Sequence, residues 1–240
     1  MRAGESRTRA RGAVAGGYRG GGPGAGLPAG SVEALLGRWP EVDRAIVASA
    51  RGEQARRHAV DLLRRRLARV VEFSPDVPVP LGNAYRTPRT LGSDRLAAAV
   101  AANGMYPDRN VLIVDFGTAV TVDLVTADNT FRGGHIAPGM QMRFRALHDY
   151  TASLPLCGEE GEPELLGTTT ETAIRAGVLC GMLFEIEGYI ARMRALYGDL
   201  CVIFTGGDAK YFAKRIKNTI FADCNLVFRG LNRILAYNAR

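Results

Sequence analysis

Short apolar runs and longer amphipathic stretches alternate along the chain from about Ser31 onward. A short apolar run bounded by turn residues predicts a buried strand, whereas an apolar period of three to four residues predicts a helix. The clearest pattern is the strand that begins Val111-Leu-Ile-Val, followed by two runs that Asp128-Asn129 joins as a hairpin. The strands predicted in this way are 45–49, 69–73, 111–114, 120–126, 131–136, 200–204 and 225–228. The predicted helices begin near residues 31, 53, 92, 138, 169, 208 and 231.

This order of elements predicts an α/β chain with mixed sheets. Antiparallel strands followed by helices that alternate with further strands are typical of such a fold. Residues 31–110 look like a shortened version of the plan in residues 111–240, so we expect a domain boundary near Asn110. Residues 1–30 hold ten of the 29 glycines and almost no apolar periodicity, which predicts a disordered Gly/Arg-rich tail.

The distribution of charge along the chain bears on whether the protein binds nucleic acid. The formal net charge is +7, but five arginines against one acid in residues 1–30 carry +4 of it and leave +3 for the rest. We therefore expect no nucleic-acid partner.

The chain has no apolar run of 18 residues and no N-terminal stretch typical of a signal peptide, so we expect a cytoplasmic protein without a membrane partner. The four cysteines form no Cys-x-x-Cys pair and are interpreted as isolated buried thiols.

Three glycine turns follow predicted strands in the second half: Asp115-Phe-Gly-Thr, Gly133-Gly-His-Ile-Ala-Pro-Gly139 and Thr205-Gly-Gly207. Glycine lets backbone amides approach a ligand closely. Asp115 ends a buried strand, where a carboxylate is costly unless a positive partner meets it. The first turn leads into another strand, so it matches neither the P-loop nor the Rossmann fingerprint. Each turn alone also fits a simple chain reversal, but together with Asp115 they favour a nucleotide or phosphate site.

These three motifs resemble those of the bacterial type III pantothenate kinases. Two further segments are similar to the substrate motifs of that family, Tyr85-Arg-Thr-Pro-Arg-Thr-Leu-Gly-Ser-Asp-Arg-Leu96 and Gly167-Thr-Thr-Thr-Glu-Thr-Ala-Ile-Arg-Ala-Gly177. The resemblance runs from about Ser31 to the C-terminus, with the motifs in the family's order. It implies two actin-like (ribonuclease H-like) α/β domains with mixed sheets, from the wider acetate kinase, sugar kinase, Hsp70 and actin group. It also implies a homodimer with the substrate bound near the subunit interface.

The resemblance implies an activity and a substrate site. The family phosphorylates pantothenate with ATP, the first step toward coenzyme A, and Mg²⁺ arrives with the ATP. Asp94 matches the proposed general base, and Arg95 could hold the pantothenate carboxylate as a planar fork. Without the family, the same two residues also fit a helix cap and a surface charge. The residues that match pantothenate contacts are Tyr85, Gly92, Ser93, Asp94, Arg95 and Thr170.

The nucleotide and cation positions also come from the resemblance. Thr118 and Gly117 match the ATP side of the site, and Gly206 and Gly207 are expected to pass close to the nucleotide. Asp115 matches the position that binds a monovalent cation, K⁺ or NH₄⁺, which would neutralise its carboxylate. The neighbouring Asp123 is expected to be a hairpin residue at the polar edge of its strand.

One family motif is absent from the sequence. Family members begin with an Asp-x-Gly-Asn-Thr strand and turn that holds the ATP phosphates, and no Asp-x-Gly-x-Thr occurs before residue 115. We therefore expect a truncated first domain. Either the recorded start is not the genuine one, or the chain is a non-catalytic relative that binds pantothenate or a nucleotide without turnover.

Overall fold

A six-stranded mixed sheet with helices on both faces organises most of the chain. The structure is a computed structural model, and it describes residues 31–48, 53–216 and 220–239. The expected disorder of residues 1–30 lies outside the described residues. The helices and strands in chain order are α1 (Ser31–Arg38), β1 (Arg44–Val47), α2 (Glu53–Arg64), β2 (Arg69–Glu72), β3 (Gly82–Asn83), α3 (Ser93–Met105), β4 (Asn110–Phe116), β5 (Ala119–Thr126), β6 (Thr130–Pro138), α4 (Met140–Asp149), α5 (Thr170–Arg175), α6 (Gly181–Tyr197), β7 (Leu200–Thr205), α7 (Ala209–Ala213), β8 (Ile220–Ala222) and α8 (Leu226–Tyr237).

The strand order in the large sheet is β3-β6-β5-β4-β7-β8. Strands β4, β5 and β6 form an antiparallel meander, whereas β7 is parallel to β4 and β8 is parallel to β7. Strands β1 and β2 form a separate parallel pair. The prediction of an α/β chain with mixed sheets, including the hairpin turn at Asp128-Asn129, is therefore confirmed.

Alternation along β4 divides the core into two layers. Leu112 and Val114 face the layer that contains α4, α5, α6 and α7. Val111 and Ile113 face the layer that contains α3 and α8. Successive side chains of a strand point to opposite faces, so the continuous apolar run in β4 serves both layers.

Helices α3 and α8 lie unusually close to each other. Residues 95–103 of α3 are all buried, and six of these nine positions are alanine or valine. A Cβ on Gly230 of α8 would overlap the backbone oxygen of Ala97. The small residues of α3 and the glycine of α8 therefore allow a backbone contact that larger side chains would prevent.

Two sequence predictions need correction here. Residues 225–228 were expected to form a strand, but Leu226 begins α8 and the edge strand is β8 instead. Leu226, Gly230 and Ile234 are all buried, so their spacing of four residues belongs to a helix face. The expectation of buried thiols is also wrong for Cys224, which is exposed, whereas Cys157, Cys180 and Cys201 are buried.

The domain boundary near Asn110 stays a prediction, as does the truncation of the first domain. Strand β3 and helix α3 precede that position, yet β3 pairs with β6 and α3 packs on the large sheet. In the described part of the chain, every helix is too short or too polar to span a membrane.

Candidate active site

A row of polar side chains crosses the sheet where β4 and β7 end. Asp115 of β4 is in register with Thr121 of β5 on one side and with Thr205 of β7 on the other. Asp115 is two residues after Ile113 and four after Val111, so all three side chains point to the same face of the sheet. Thr121 and Thr205, its partners in register, lie on that face as well, which is the one covered by α3 and α8. Thr205 is buried and Asp115 is half-buried. The expectation that Asp115 ends a core strand beside glycine and hydroxyl groups is confirmed.

Gly206 makes room for the Asp115 carboxylate. Its φ angle is +92°, a conformation that favours glycine. A Cβ at this position would come within 2.5 Å of both Asp115 Oδ1 and the Phe116 carbonyl oxygen. The turn therefore collects a carboxylate oxygen and a carbonyl oxygen around one point, and oxygen donors of this kind suit hard cations.

Asp123 is the main correction in this region. It was expected at a polar strand edge, but its side chain is only 2% exposed. The Arg95 guanidinium donates to it, with Nε 3.1 Å from each carboxylate oxygen and Nη2 bonded to Oδ1. Thr121 lies two residues before Asp123 on the same face of β5. Asp123 therefore lies inside the sheet–helix interface and connects the polar row to helix α3.

Burial acts on both members of the Asp123–Arg95 pair. It raises the pKa of the Asp123 carboxyl above its ordinary value, against the opposing hydrogen bond and charge of Arg95. Arg95 is only 6% exposed. Burial by itself lowers the pKa of the guanidinium, but the hydrogen bonds and the charge of Asp123 outweigh burial and raise that pKa above its ordinary value. The simple interpretation of Arg95 as a surface charge is thereby excluded.

Asp94 opens helix α3 next to this pair. Its Oδ1 accepts a 2.8 Å hydrogen bond from the Arg95 backbone N–H. The same oxygen lies 2.5 Å from the point where a Cβ of Gly92 would stand, so Gly92 is the residue that permits this conformation. Asp94 is exposed and lies within the first turn of the helix, where the helix dipole favours a carboxylate. An exposed, oriented carboxylate can accept a proton from a bound hydroxyl group.

Tyr85 completes this group of residues. The Arg95 Cζ atom lies 5.5 Å from the centre of the Tyr85 ring and 6.0 Å from that of Phe131. The Tyr85 ring also lies beside Gly133, whose φ of +101° is a conformation that favours glycine. The structure thus brings together Tyr85, Gly92, Ser93, Asp94 and Arg95.

The glycine pair Gly133-Gly134 lies inside β6, next to a bulge at Arg132, rather than in the turn that we expected. Strand β6 continues to Pro138, and the pairing register with β5 shifts between Leu124 and Val125. A Cβ on Gly134 would overlap the Val122 carbonyl oxygen. Gly134 therefore permits a close strand contact, and Gly133 provides the positive φ beside the bulge.

The loop that contains Gly117 and Thr118 packs on the start of α4. The Gly139 N–H donates to the Thr118 carbonyl oxygen over 3.0 Å. A Cβ on Gly139 would overlap the carbonyl oxygens of Gly117 and Thr118. The Asp208 N–H in turn donates to the Phe116 carbonyl oxygen, which ties the turn after β7 to the same loop. The four residues predicted for the nucleotide, Gly117, Thr118, Gly206 and Gly207, therefore border one end of the sheet.

Thr170 stands apart from the other predicted substrate residues. It is the first residue of α5 and is exposed. Ile174 and Val178, which follow it along the helix, pack in the layer of Leu112 and Val114. Arg95 and its helix lie on the opposite face of the sheet, so Thr170 and Asp94 are carried on different faces.

Sequence reasoning missed Asp123 as a site residue, although a signal was present. An aspartate inside the apolar run Val-Thr-Val-Asp-Leu-Val is unusual in a core strand. Its spacing of two from Thr121 places both on one face. The nucleotide, substrate and cation roles of the other residues stay predictions.

The strand order and the helices on both faces of the sheet define a mixed α/β fold. A solved structure from Campylobacter jejuni, described as a conserved Baf family transcriptional activator, superimposes with a TM-score of 0.59. It is 20% identical and covers 87% of this chain and 88% of that chain, so the likeness concerns the fold.

Sequence comparison identifies the family. A family model described as type III pantothenate kinase matches residues 30–192. A protein of that name from Phocaeicola vulgatus is 52% identical over 169 residues, covering 70% of each chain. Another from Flavobacterium johnsoniae is 35% identical over 206 residues, 86% of this chain and 83% of that protein. The chain belongs to the type III pantothenate kinase family, which confirms the resemblance seen in the motifs.

Proposed function

We propose that this chain transfers the γ-phosphoryl group of ATP to the primary hydroxyl group of pantothenate, the first step of coenzyme A biosynthesis. The observation that carries the proposal is the position of Asp94. Its exposed carboxylate stands beside a buried ion pair, on the same sheet face as Asp115 and Thr121. An acceptor for a hydroxyl proton is thus located beside the polar row and the glycine turns.

In the proposed reaction Asp94 acts as the general base. The pantothenate hydroxyl oxygen attacks the γ-phosphorus of ATP while its proton moves to the Asp94 carboxylate. The bond between the γ-phosphorus and the oxygen that bridges it to the β-phosphate breaks, and ADP leaves. Phosphoryl transfer depends mainly on positioning and on neutralising charge. Tyr85, Gly92, Ser93 and Arg95 would orient the substrate around Asp94.

The phosphates of ATP would lie along the loops at the end of the sheet. Gly117 and Thr118 are packed against the N-terminus of α4, and a helix N-terminus favours anions. Gly206 and Gly207 would let the backbone approach the nucleotide closely. Mg²⁺ bound to ATP would neutralise part of the phosphate charge.

A monovalent cation at Asp115 fits this arrangement. The carboxylate oxygen and the Phe116 carbonyl oxygen are hard donors that flank Gly206. The described residues contain no group of three or more His, Cys, Asp or Glu side chains arranged for a metal ion. A weakly held K⁺ or NH₄⁺ with carbonyl and hydroxyl ligands therefore suits Asp115 better than a tightly bound transition metal.

We also infer a homodimer that works in the cytoplasm, where ATP is available. In this dimer, Thr170 of the second copy would complete the group of residues around Asp94, which one copy carries on the opposite face from its own Thr170. A π-helical turn, Ala176–Cys180, joins α5 to α6, so that residues 170–197 form one continuous helix, the α5–α6 helix. One face of this helix is suited to close contact with such a copy. Phe184 is 58% exposed there, and the Cβ positions of Gly177, Gly181 and Gly188 on the same face meet no atom within 4 Å.

The direct test is an assay of the purified chain with ATP, Mg²⁺, K⁺ and pantothenate. We expect ADP release and a product heavier than pantothenate by one phosphoryl group in mass spectrometry. Omission of pantothenate should abolish ADP release. Binding of pantothenate in calorimetry without any product would contradict the proposal and favour a non-catalytic binding relative.

A further inference from the structure

The buried carboxylate of Asp123 has no role in the reaction proposed above, yet it accepts several hydrogen bonds close to the proposed base. Both of its oxygens accept hydrogen bonds from Arg95. It is 2% exposed, so it cannot contact a substrate directly without a rearrangement. A buried acid that meets only protein groups acts through those groups.

The partner of Asp123 is covalently next to the proposed base. Arg95 follows Asp94 in the first turn of α3, and its backbone N–H holds Asp94 Oδ1 at 2.8 Å. The main chain of Arg95 therefore fixes the orientation of the Asp94 carboxylate. The guanidinium also lies 5.5 Å from the Tyr85 ring, which links the same pair to a predicted substrate residue.

The Asp123–Arg95 contact restricts Arg95 in two ways. A guanidinium bonded through both Nε and Nη2 has a defined plane as well as a defined position. The contact also joins the first turn of α3 to the middle of β5, a fully paired strand between β4 and β6. The start of the helix is thus fixed relative to the sheet that carries Asp115.

We propose that Asp123 is a positioning residue, which orients Asp94 and Tyr85 through Arg95 and thereby sets the productive geometry for pantothenate. The inference rests on the proposed function. It predicts that Asp123 affects catalysis only as long as Arg95 is present. A buried acid that merely stabilised the fold would instead change the stability of the protein and leave the kinetics of the folded molecules unaltered.

The test is a double-mutant cycle with Asp123→Asn, Arg95→Gln and the double variant, all measured as the full chain. Asparagine keeps the volume and one acceptor oxygen but lacks the charge. We expect Asp123→Asn to lower kcat/KM for pantothenate at least tenfold, with KM for ATP changed less than twofold. The double variant should be no worse than Arg95→Gln alone. The control is Asp199→Asn, which removes an exposed acid paired with Arg109 and should leave both constants unchanged.

Folding is monitored separately by circular dichroism and thermal unfolding, and active-site concentration is taken from pantothenate binding in calorimetry. If Asp123→Asn does not fold, Asp123→Glu is measured, and restoration of the fold without full kcat/KM supports the inference. Normal kinetics in a folded Asp123→Asn chain, or strictly additive losses in the double variant, would overturn it. An unmutated chain that neither binds nor phosphorylates pantothenate would instead overturn the proposed function, and this inference with it.

Discussion

Asp94 combines exposure with a defined conformation, and both properties come from its neighbours. Gly92 leaves space for one carboxylate oxygen, and the Arg95 N–H holds that oxygen. A change that keeps the oxygen but removes the basicity isolates the proposed role in proton transfer. Asparagine is such a change, because its side-chain oxygen can accept the same hydrogen bond.

We therefore expect Asp94→Asn to fold normally and to lower turnover about 10²–10⁴-fold, the usual contribution of a general base. Steady-state kinetics with pantothenate and thermal unfolding would measure the two properties. Asp199→Asn is the matched surface control. Turnover within a factor of two of the unmutated chain would show that Asp94 is not the base.

Asp115 is the second residue whose proposed role has a direct test. Its carboxylate lies beside Gly206 and the Phe116 carbonyl oxygen, where a cation would be attracted. We expect K⁺ or NH₄⁺ to raise the phosphorylation rate over Na⁺ at constant ionic strength and Mg²⁺, and Asp115→Asn to abolish the difference. Equal rates in Na⁺ and K⁺ for the unmutated chain would mean that Asp115 serves the structure of the turn only.

Among the elements, the α3–α8 pair shows how small residues determine where a site is held. Helix α3 carries Asp94 and Arg95 at its first turn, and its buried alanines pack on α8. The glycine at position 230 lies against the Ala97 carbonyl oxygen. The distance between the two helices therefore depends on the absence of a side chain, and this distance positions the whole helix that supports the base.

We expect Gly230→Ala to lower the free energy of unfolding by about 1–3 kcal/mol, because the added methyl group overpacks the contact. Urea denaturation followed by circular dichroism would measure it. Gly37→Ala is the control, since a Cβ at position 37 of α1 meets no atom within 4 Å and alanine is the better helix former. A Gly230→Ala chain as stable as the unmutated one would show that the helices can move apart without cost.

At the scale of the whole molecule, the pH dependence of stability should contain a contribution from His135. Burial lowers the pKa of this imidazole from its ordinary value of 6.5, with Glu185 and Asp123 opposing and Arg95 adding to the effect. Its ring stacks on Tyr189 with centroids 3.8 Å apart, and its Nε2 is buried without a partner among the described residues. His135 therefore binds a proton less readily in the folded chain than in the unfolded chain.

Because the unfolded state binds the proton first, stability should fall as pH drops below about 6.5 and should be independent of His135 above about 7.5. His135→Gln should flatten the curve of unfolding free energy between pH 7.5 and about 5.5, with His148→Gln as the exposed control. A slope that is the same in both variants would locate the effect in other groups.

The proposed homodimer is the second property of the whole molecule. Phe184 is exposed on the glycine-bearing face of the α5–α6 helix. A charge there should prevent a second copy from packing, so we expect Phe184→Asp to be monomeric in analytical ultracentrifugation and to lose activity. Leu196→Asp changes another exposed apolar residue, 72% exposed on a different face of the same helix, and should leave the dimer intact. A dimeric Phe184→Asp chain would place the interface elsewhere.

Much of the fold and of the site could be predicted from local patterns. The strand from Val111 and the turn at Asp128-Asn129 follow from residue periodicity and turn chemistry, which act over a few residues. The motifs around Asp94, Asp115 and Gly206 identified the family, because their order along the chain is specific. The strand predicted at 225–228 failed because a four-residue apolar stretch fits a strand and a helix equally until its packing partner is known.

The sequence by itself determined the class of fold and the family, and it predicted most residues of the candidate site but not Asp123. Only the tertiary structure decided how these residues are connected. Asp123 looked like a strand-edge residue. Its burial depends on Arg95, which precedes it by 28 positions and is carried by helix α3, packed across β5. The separation of Thr170 from Asp94 likewise depends on which face of the sheet each helix covers. Periodicity shows which residues share one face of a strand or helix. Which other element covers that face depends on chain topology, and no local pattern contains this information.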